Sequence, residues 1–261
     1  MKKYVLITLV LTVLVGNAFA VLGDLYGSYP LPVPRPRGMA AANSVLFYVA
    51  YQSPNKIVRV GIWNGSFMGS WTCPQPSGNR GLAFTWGNSV WIGCVRNYRV
   101  YRCDAYNGSV MDVWSVDHPP YGLAANGTRD GGYNAVCILN YGRSPNKLYY
   151  HNKNNGSVLA SYPITLADSS NYDIAYDWRN KLIWRYNQAG NTIDGTDHTT
   201  GSVVASFASP LPGTVSGLAY KLRFLFLAYP DCIARVHCPV LDDYGTSVAP
   251  ASMGGIKAIF R

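Results

Sequence analysis

The sequence contains no glutamate, and all 13 of its acidic residues are aspartate. Charged residues make up only 13% of the chain, whereas Gly, Pro, Asn, Ser, Tyr and Trp are abundant. Long exposed helices need Glu, Lys, Leu and Ala, and these residues dominate no stretch of the chain. The composition therefore argues against a helical protein and favours many short strands joined by tight turns.

The sequence signatures of catalysis and of cofactor binding are also missing. The chain has no CxxC pair, no glycine-rich phosphate loop, no serine elbow and no Cys/His nucleophile pattern. Its basic residues are scattered singly, whereas nucleic-acid binding would require them to be clustered. We therefore predict a protein that is not an enzyme, with no catalytic residue, no metal site, no cofactor and no nucleic-acid partner.

The N-terminus is typical of a secretory signal. Lys2 and Lys3 precede an uncharged, mostly apolar segment from Tyr4 to Val15, and Ala18-Phe19-Ala20 follows as an A-x-A cleavage site. The apolar run is short for a spanning helix, which needs roughly 20 apolar residues. We predict a signal peptide at residues 1–20 and a mature domain at 21–261, without a transmembrane segment, that is secreted or bound at the cell surface or in the periplasm.

The mature chain is basic. Without Lys2 and Lys3, 20 of the 22 basic residues face the 13 aspartates, which gives a net charge of +7. A positive balance suits an anionic partner such as an acidic polysaccharide or a membrane surface. Ordinary solubility explains the scattered charges better.

An internal repeat predicts the fold. A phrase of a small residue, an apolar residue and Ala begins at Gly38, Gly81, Gly122, Asp173 and Gly217, with spacings of 43, 41, 51 and 44 residues. A second phrase follows each time, at Asn64-Gly65-Ser66, Asn107-Gly108-Ser109, Asn155-Gly156-Ser157, Thr200-Gly201-Ser202 and, more loosely, Tyr244-Gly245-Thr246. Two independent markers that keep one period indicate a repeat architecture.

Each repeat reads as four antiparallel strands. In the second unit, strand-like runs lie at residues 81–86, 89–95, 99–106 and 109–116. Asn-Gly between the last two is a strong hairpin signal, because both residues tolerate positive φ. Four strands per period of about 40–45 residues are typical of a propeller blade. Trp91 and Trp184 hold equivalent places and are predicted to pack between blades.

The prediction is therefore an all-β fold, a β-propeller of about five four-stranded blades. An N-terminal strand at residues 25–33 is expected to complete the last blade and close the ring, which removes two exposed edges. Six blades remain possible if Val248 to Arg261 belong to a further unit.

The repeat phrases also resemble a known group. GLAF, VWIG and VYRCDAYNGSV in the second unit, and GLAY and FLFLAY in the last, are similar to secreted propellers of the broad NHL/YVTN/streptogramin-lyase-like group. The C-terminal SMGGIKAIFR is similar to the ends of uncharacterised secreted propellers from uncultured bacteria. The resemblance implies the fold, whereas the group includes binding proteins, scaffolds and enzymes.

Six cysteines allow fifteen pairings, and one of them can be argued from the sequence. Cys94 and Cys103 flank a predicted tight hairpin centred on Tyr98-Arg99, which would place the two thiols opposite each other. Cys232 and Cys238 are expected to share one strand, too far apart to join. A Cys94–Cys103 disulfide is therefore possible.

The residue before each repeat phrase is expected near the ring axis, at one mouth of the central channel. Those residues are Arg37, Arg80, Tyr121, Tyr172 and Ser216. The two arginines and the two tyrosines are candidate ligand-binding residues, through charge-assisted bonds and stacking. Loop ends without a role are the plainer interpretation.

Other polar residues are weaker candidates. Asp173 takes the place of the usual Gly and is the one lone catalytic candidate, since it could face the channel. The histidines (His118, His151, His198 and His237) occupy different positions in their units, so no convergence on the axis is expected and a surface or structural role is favoured. Asp194, Asp197 and the Asp242-Asp243 pair suit turns better than calcium.

Taken together, these features predict a secreted, non-catalytic binding or structural protein. It could be a cell-surface or filament subunit that self-assembles through an exchanged N-terminal strand. The alternatives are a lyase or hydrolase that acts at the channel, and a lectin-like module for anionic polysaccharide.

Overall fold

The computed structural model describes residues 22–51, 54–85, 88–125, 135–140, 147–164 and 173–238. Their regular structure consists of twenty short strands, β1 to β20. Several predicted features lie outside the described residues: the signal peptide, Tyr172, Asp242, Asp243 and the segment from Val248 to Arg261. The prediction of a possible sixth blade depends on that last segment and stays a prediction.

The strands pair into five antiparallel sheets of four. Blade 1 contains β2 (Pro36–Ala41), β3 (Val45–Ala50), β4 (Lys56–Gly61) and β5 (Phe67–Thr72), and blade 2 contains β6 (Asn79–Thr85), β7 (Ser89–Cys94), β8 (Arg99–Asp104) and β9 (Val110–Ser115). Blade 3 contains β10 (Pro120–Ala125), β11 (Ala135–Asn140), β12 (Lys147–Asn152) and β13 (Val158–Pro163), and blade 4 contains β14 (Ile174–Asp177), β15 (Leu182–Asn187), β16 (Thr192–Asp197) and β17 (Val203–Ala208). Blade 5 contains β18 (Gly217–Lys221), β19 (Phe224–Ala228), β20 (Cys232–His237) and β1 (Leu25–Pro30).

The first strands of the sheets form the inner wall of a ring. β2 contacts β6, β6 contacts β10, β10 contacts β14, β14 contacts β18, and β18 contacts β2. Each sheet is therefore a blade that runs outward from a common axis. The prediction of an all-β propeller with four-stranded blades is confirmed.

The N-terminal strand joins the two ends of the chain. β1 pairs antiparallel with β20, with Tyr29 opposite Ile233, and forms the outer strand of blade 5. The connection to blade 1 is anchored by bonds from the Leu31 amide to the Asp231 carbonyl and from the Tyr48 hydroxyl to the Val33 carbonyl, at 2.9 Å each. Blade 5 therefore contains strands from both ends of the described chain.

The hydrophobic core lies between the blades. Trp91 is 1% exposed and packs with Trp114 and Leu123 at the junction of blades 2 and 3. Trp184 is fully buried at the junction of blades 4 and 5. The predicted role of both tryptophans in packing is confirmed. A blade has two apolar faces, and only a neighbour on each side keeps both from water.

The turns between the third and fourth strands of the blades bind neighbouring blades together. Gly65 and Gly108 have φ of 68° and 76°, and a Cβ on either would lie 2.5 Å or less from the ring of Tyr29 or of Trp71 in the preceding blade. The asparagines before them keep ordinary φ, so the turn is not the two-residue type that the Asn-Gly signal suggested. Each glycine instead serves a bulged turn and a close contact with an aromatic ring.

The prediction of a possible Cys94–Cys103 disulfide is wrong. Tyr98 takes the positive φ of 55° at the end of the turn, so β8 begins at Arg99 rather than turning there. Cys94 consequently lies opposite Arg99, and Cys103 lies opposite Val90. Both thiols are free and buried. A shift of two residues in the centre of the hairpin moves the two cysteines four residues out of register.

Candidate functional site

The inner strands all begin at the same end of the ring, which we call the mouth. Arg37, Arg80 and Tyr121 are each the second residue of an inner strand, and all three are half-buried. Ser216 immediately precedes the inner strand of blade 5 and is also half-buried. Tyr172, the fourth predicted ligand-binding residue, lies outside the described residues.

The arginines and tyrosines of the mouth contact one another. The Arg80 guanidinium lies over the ring of Tyr121, 5.2 Å from its centroid, and so bridges blades 2 and 3. The Arg37 guanidinium lies 3.9 Å from the ring centroid of Tyr51, a residue that the sequence analysis did not single out. Tyr51 follows the second strand of its blade, and antiparallel pairing returns that end of the strand to the mouth.

The two guanidinium groups are close enough to repel each other. The pKa of Arg37 is lowered, first by partial burial and then by the positive charge of Arg80. Within the described part of the chain, neither arginine forms an ion pair with a carboxylate. Two like charges held together without a counter-ion make a site that favours an anion.

Glycines place these side chains at the mouth. The pairing of β2 with β3 is irregular between Arg37 and Met39, at Gly38, whose φ is 63°. A Cβ on Gly38 would lie only 1.9 Å from the Arg80 carbonyl oxygen. The glycine therefore allows the backbones of two blades to meet near the axis, immediately below the arginine that precedes it.

Asp173 occupies the glycine position in blade 4 and fills the axis below the mouth. Its Oδ2 accepts 2.7 Å hydrogen bonds from the backbone amides of Met39 in blade 1 and Leu218 in blade 5. Burial raises the pKa of this carboxyl well above its ordinary value, against the effect of the Leu218, Met39, Ile174 and Leu123 amides. The prediction that Asp173 faces the channel fits this position, and its contacts are those of a structural staple between blades.

Two of the histidines lie close together, although away from the ring axis. The ring of His118 stacks on Tyr149 at 3.9 Å between centroids, and the ring of His151 lies 5.4 Å away. Both histidines are at least 98% buried where blade 2 connects to blade 3. His118 contacts the Asp117 carboxylate, which lowers the pKa of Asp117. Sequence spacing could not reveal the pair, because an inter-blade connection and a third strand meet only in the folded ring.

This histidine cluster suits packing better than acid–base chemistry at the mouth. Nδ1 of His151 lies 2.8 Å from the Gly156 carbonyl oxygen, and burial lowers the pKa of His151. A neutral imidazole held by a carbonyl and stacked against other rings is a packed core group. The structural interpretation of these two histidines is therefore favoured.

The aspartates considered for calcium have protein partners. Asp194 accepts bonds from Thr192 and Ser206, at 2.9 and 2.7 Å. Asp197 caps a turn, and despite partial burial the hydrogen bonds from Thr199 and Thr200 hold the pKa of this carboxyl at about 2. No group of three or more metal-ligating side chains occurs within the described ranges. These contacts are those expected of turn residues.

Comparisons with known proteins support the fold. No protein-family model and no curated protein matches the chain in sequence. Glutaminyl cyclase from Myxococcus xanthus resembles it with a TM-score of 0.64 and 11% identity, over 82% of this chain and 95% of the cyclase. A nidogen/laminin complex chain gives a TM-score of 0.52 and 12% identity, over 76% of this chain and 73% of that one.

Virginiamycin B lyase from Staphylococcus aureus gives a TM-score of 0.48 and 15% identity, over 81% of this chain and 69% of the lyase. Likenesses at such identities establish the fold alone, so the resemblance to the NHL/YVTN/streptogramin-lyase-like group stays a prediction. Within the described part of the chain, no helix is long and apolar enough to span a bilayer. The chain is thus a β-propeller in which a cationic, aromatic mouth lies above an axis filled by a carboxylate.

Proposed function

We propose that the protein is a secreted, non-catalytic binding protein that holds an acidic extracellular polysaccharide at its mouth. The observation that carries the proposal is the pair Arg37 and Arg80, which hold the same position in two adjacent inner strands and have no carboxylate partner among the described residues. A carboxylate of the ligand would relieve their repulsion and accept charge-assisted hydrogen bonds from both.

The tyrosines supply the other half of the recognition. Tyr121 and Tyr51 already support the two arginines from one side, at 5.2 and 3.9 Å. Tyr51 is 46% exposed, so part of its ring remains free for a sugar face. An uronate unit combines the two features that this surface complements, a carboxylate and a ring with an apolar face.

The competing proposal, a lyase or hydrolase at the channel, needs an acid and a base at the mouth. The described residues of the mouth are arginine, tyrosine and serine, and the carboxylate of Asp173 below them is held by two backbone amides. A binding surface fits this set better than a reaction centre does. The enzyme alternative would gain support from turnover of an oligouronate by the purified protein.

The test is calorimetric titration with a tetramer of galacturonate, with the neutral galactose tetramer as the ligand control. Arg37→Ala combined with Arg80→Ala should weaken binding at the mouth by at least about 100-fold, since each of the two lost hydrogen bonds to a charged group contributes about 1.5–3 kcal/mol. The control variant, Lys153→Ala with Arg223→Ala, removes two positive charges elsewhere and should bind as the wild type does.

Salt gives a second readout. Added sodium chloride should weaken the binding, because the site is half-exposed and its charges are screened. Equal affinity for the acidic and neutral tetramers, or an equal loss in both double variants, would refute a specific anion site at the mouth.

A further inference from the structure

A second cationic aromatic cluster lies at the opposite end of the ring from the mouth, where blade 5 meets blade 1. The Arg235 guanidinium is surrounded by the rings of Tyr26, Trp63 and Phe224, at 4.3, 5.1 and 5.3 Å from their centroids. Trp63 lies in the turn after β4, Tyr26 lies near the start of β1, and Phe224 begins β19. Since strands alternate in direction, all three positions fall at the end of the ring away from the mouth.

The cluster is open to solvent on one side. Tyr26 is 63% exposed and Trp63 is 46% exposed, whereas Arg235 and Phe224 are half-buried beneath them. Tyr26 is the extra residue of a bulge, because the pairing of β1 with β20 shifts between Leu25 and Gly27. A bulge of this kind directs a side chain away from the sheet.

In the described ranges no carboxylate lies within ion-pair distance of Arg235. Among the described residues, its Nε is also buried without a hydrogen-bond partner. Within the described part of the chain, aromatic rings alone hold Arg235, although guanidinium groups bind carboxylates well in bidentate geometry.

We propose that Tyr26, Trp63 and Arg235 form a second site for an acidic sugar unit, on the face of the ring opposite the mouth. The sugar ring lies on the exposed aromatic faces, and its carboxylate accepts hydrogen bonds from Arg235. The choice of an uronate rests on the proposed function of the mouth. Two sites on opposite faces allow one molecule to join two polysaccharide strands, which gives multivalent binding to long chains.

Trp63 provides a direct test, because it is the most exposed tryptophan of the described residues. Titration with the galacturonate tetramer should change Trp63 fluorescence in the wild type and equally in the Arg37→Ala, Arg80→Ala variant. Arg235→Gln should weaken this fluorescence-detected binding at least tenfold while Trp63 remains as the reporter. Arg223→Ala is the matched control, because Arg223 is exposed in the turn between β18 and β19, at the same end of the ring. This variant should bind the tetramer with the same fluorescence-detected affinity as the wild type.

Tyr26→Ala is a second variant that should fold normally, because the Tyr26 side chain is mostly exposed. It should also weaken the fluorescence-detected binding at least tenfold. Calorimetry should give two tetramers per protein in the wild type and one in each site variant. An unchanged fluorescence at saturating tetramer, or equal affinities for Arg235→Gln and Arg223→Ala, would overturn this second site. Loss of the mouth site alone would instead appear as one tetramer per wild-type molecule with the Trp63 response intact.

Discussion

Replacement of Asp173 by alanine should destabilise the ring more than any other single change at the mouth. The carboxylate Oδ2 accepts two 2.7 Å bonds from the amides of Met39 and Leu218, which belong to two other blades. Each buried amide left without a partner costs about 1–3 kcal/mol, or about 2–6 kcal/mol for the pair. Removal of a buried carboxylate whose pKa is raised by burial offsets part of this loss. We therefore expect a net decrease of about 2–4 kcal/mol in the free energy of unfolding.

Urea denaturation followed by tryptophan fluorescence measures this change. Asp173→Asn is the matched control, because its side-chain oxygen can take the place of Oδ2 and accept both amide bonds. This variant should lose clearly less stability than Asp173→Ala. Asp173→Gly restores the residue found in the other four repeats and should still lose the two bonds. The stabilising role of Asp173 would be refuted if Asp173→Ala unfolded at the same urea concentration as the wild type, with the same dependence of the unfolding free energy on urea.

Three further predictions concern the titration of Asp173, the turn glycine Gly108 and the pairing of the cysteines. Burial raises the pKa of Asp173 above its unfolded value of about 4, so the native state binds more protons than the unfolded state. Stability should therefore fall as pH rises from about 4 toward the folded-state pKa, in the wild type but not in Asp173→Asn; a parallel fall in both would exclude Asp173 as the cause. Gly108→Ala forces positive φ on alanine and places its Cβ 2.5 Å from Trp71, so it should cost more than about 1 kcal/mol. Gly27→Ala, whose Cβ meets nothing within 4 Å, should cost much less in the same urea assay. Alkylation under denaturing conditions, followed by mass spectrometry, should find no peptide that joins Cys94 to Cys103.

The sequence could predict the blades because their signals are local and repeated. Two turn phrases with one period mark every unit, and alternation of apolar residues marks the strands between them. The residues of the mouth could also be predicted from the repeat, since equivalent positions in a closed ring must approach the axis. Arg37, Arg80 and Tyr121 were predicted on that ground, and each is the second residue of an inner strand, with Arg80 over the ring of Tyr121.

What the sequence could not predict depends on contacts between blades or on the exact register. Tyr51 joins Arg37 only because β3 returns to the mouth, and His118 meets His151 only across a blade junction. The prediction of the disulfide failed because the centre of this hairpin depends on the positive φ of Tyr98, and the sequence does not show which residue of the turn adopts it. Asn-Gly signalled a turn correctly but gave no sign that its glycine touches an aromatic ring of another blade.

The position of Asp173 bears on where a ligand can bind. The backbone amides of Met39 and Leu218 point toward the axis, where they need an acceptor. In blade 4 the chain places its own carboxylate there, in the position that glycine holds in the other repeats. The anion-binding capacity of the axis is thereby used internally, whereas Arg37 and Arg80 just above it form no ion pair within the described residues. An external anion is therefore expected at the surface of the mouth, above the filled axis, and its affinity should follow the two arginines even in Asp173→Asn.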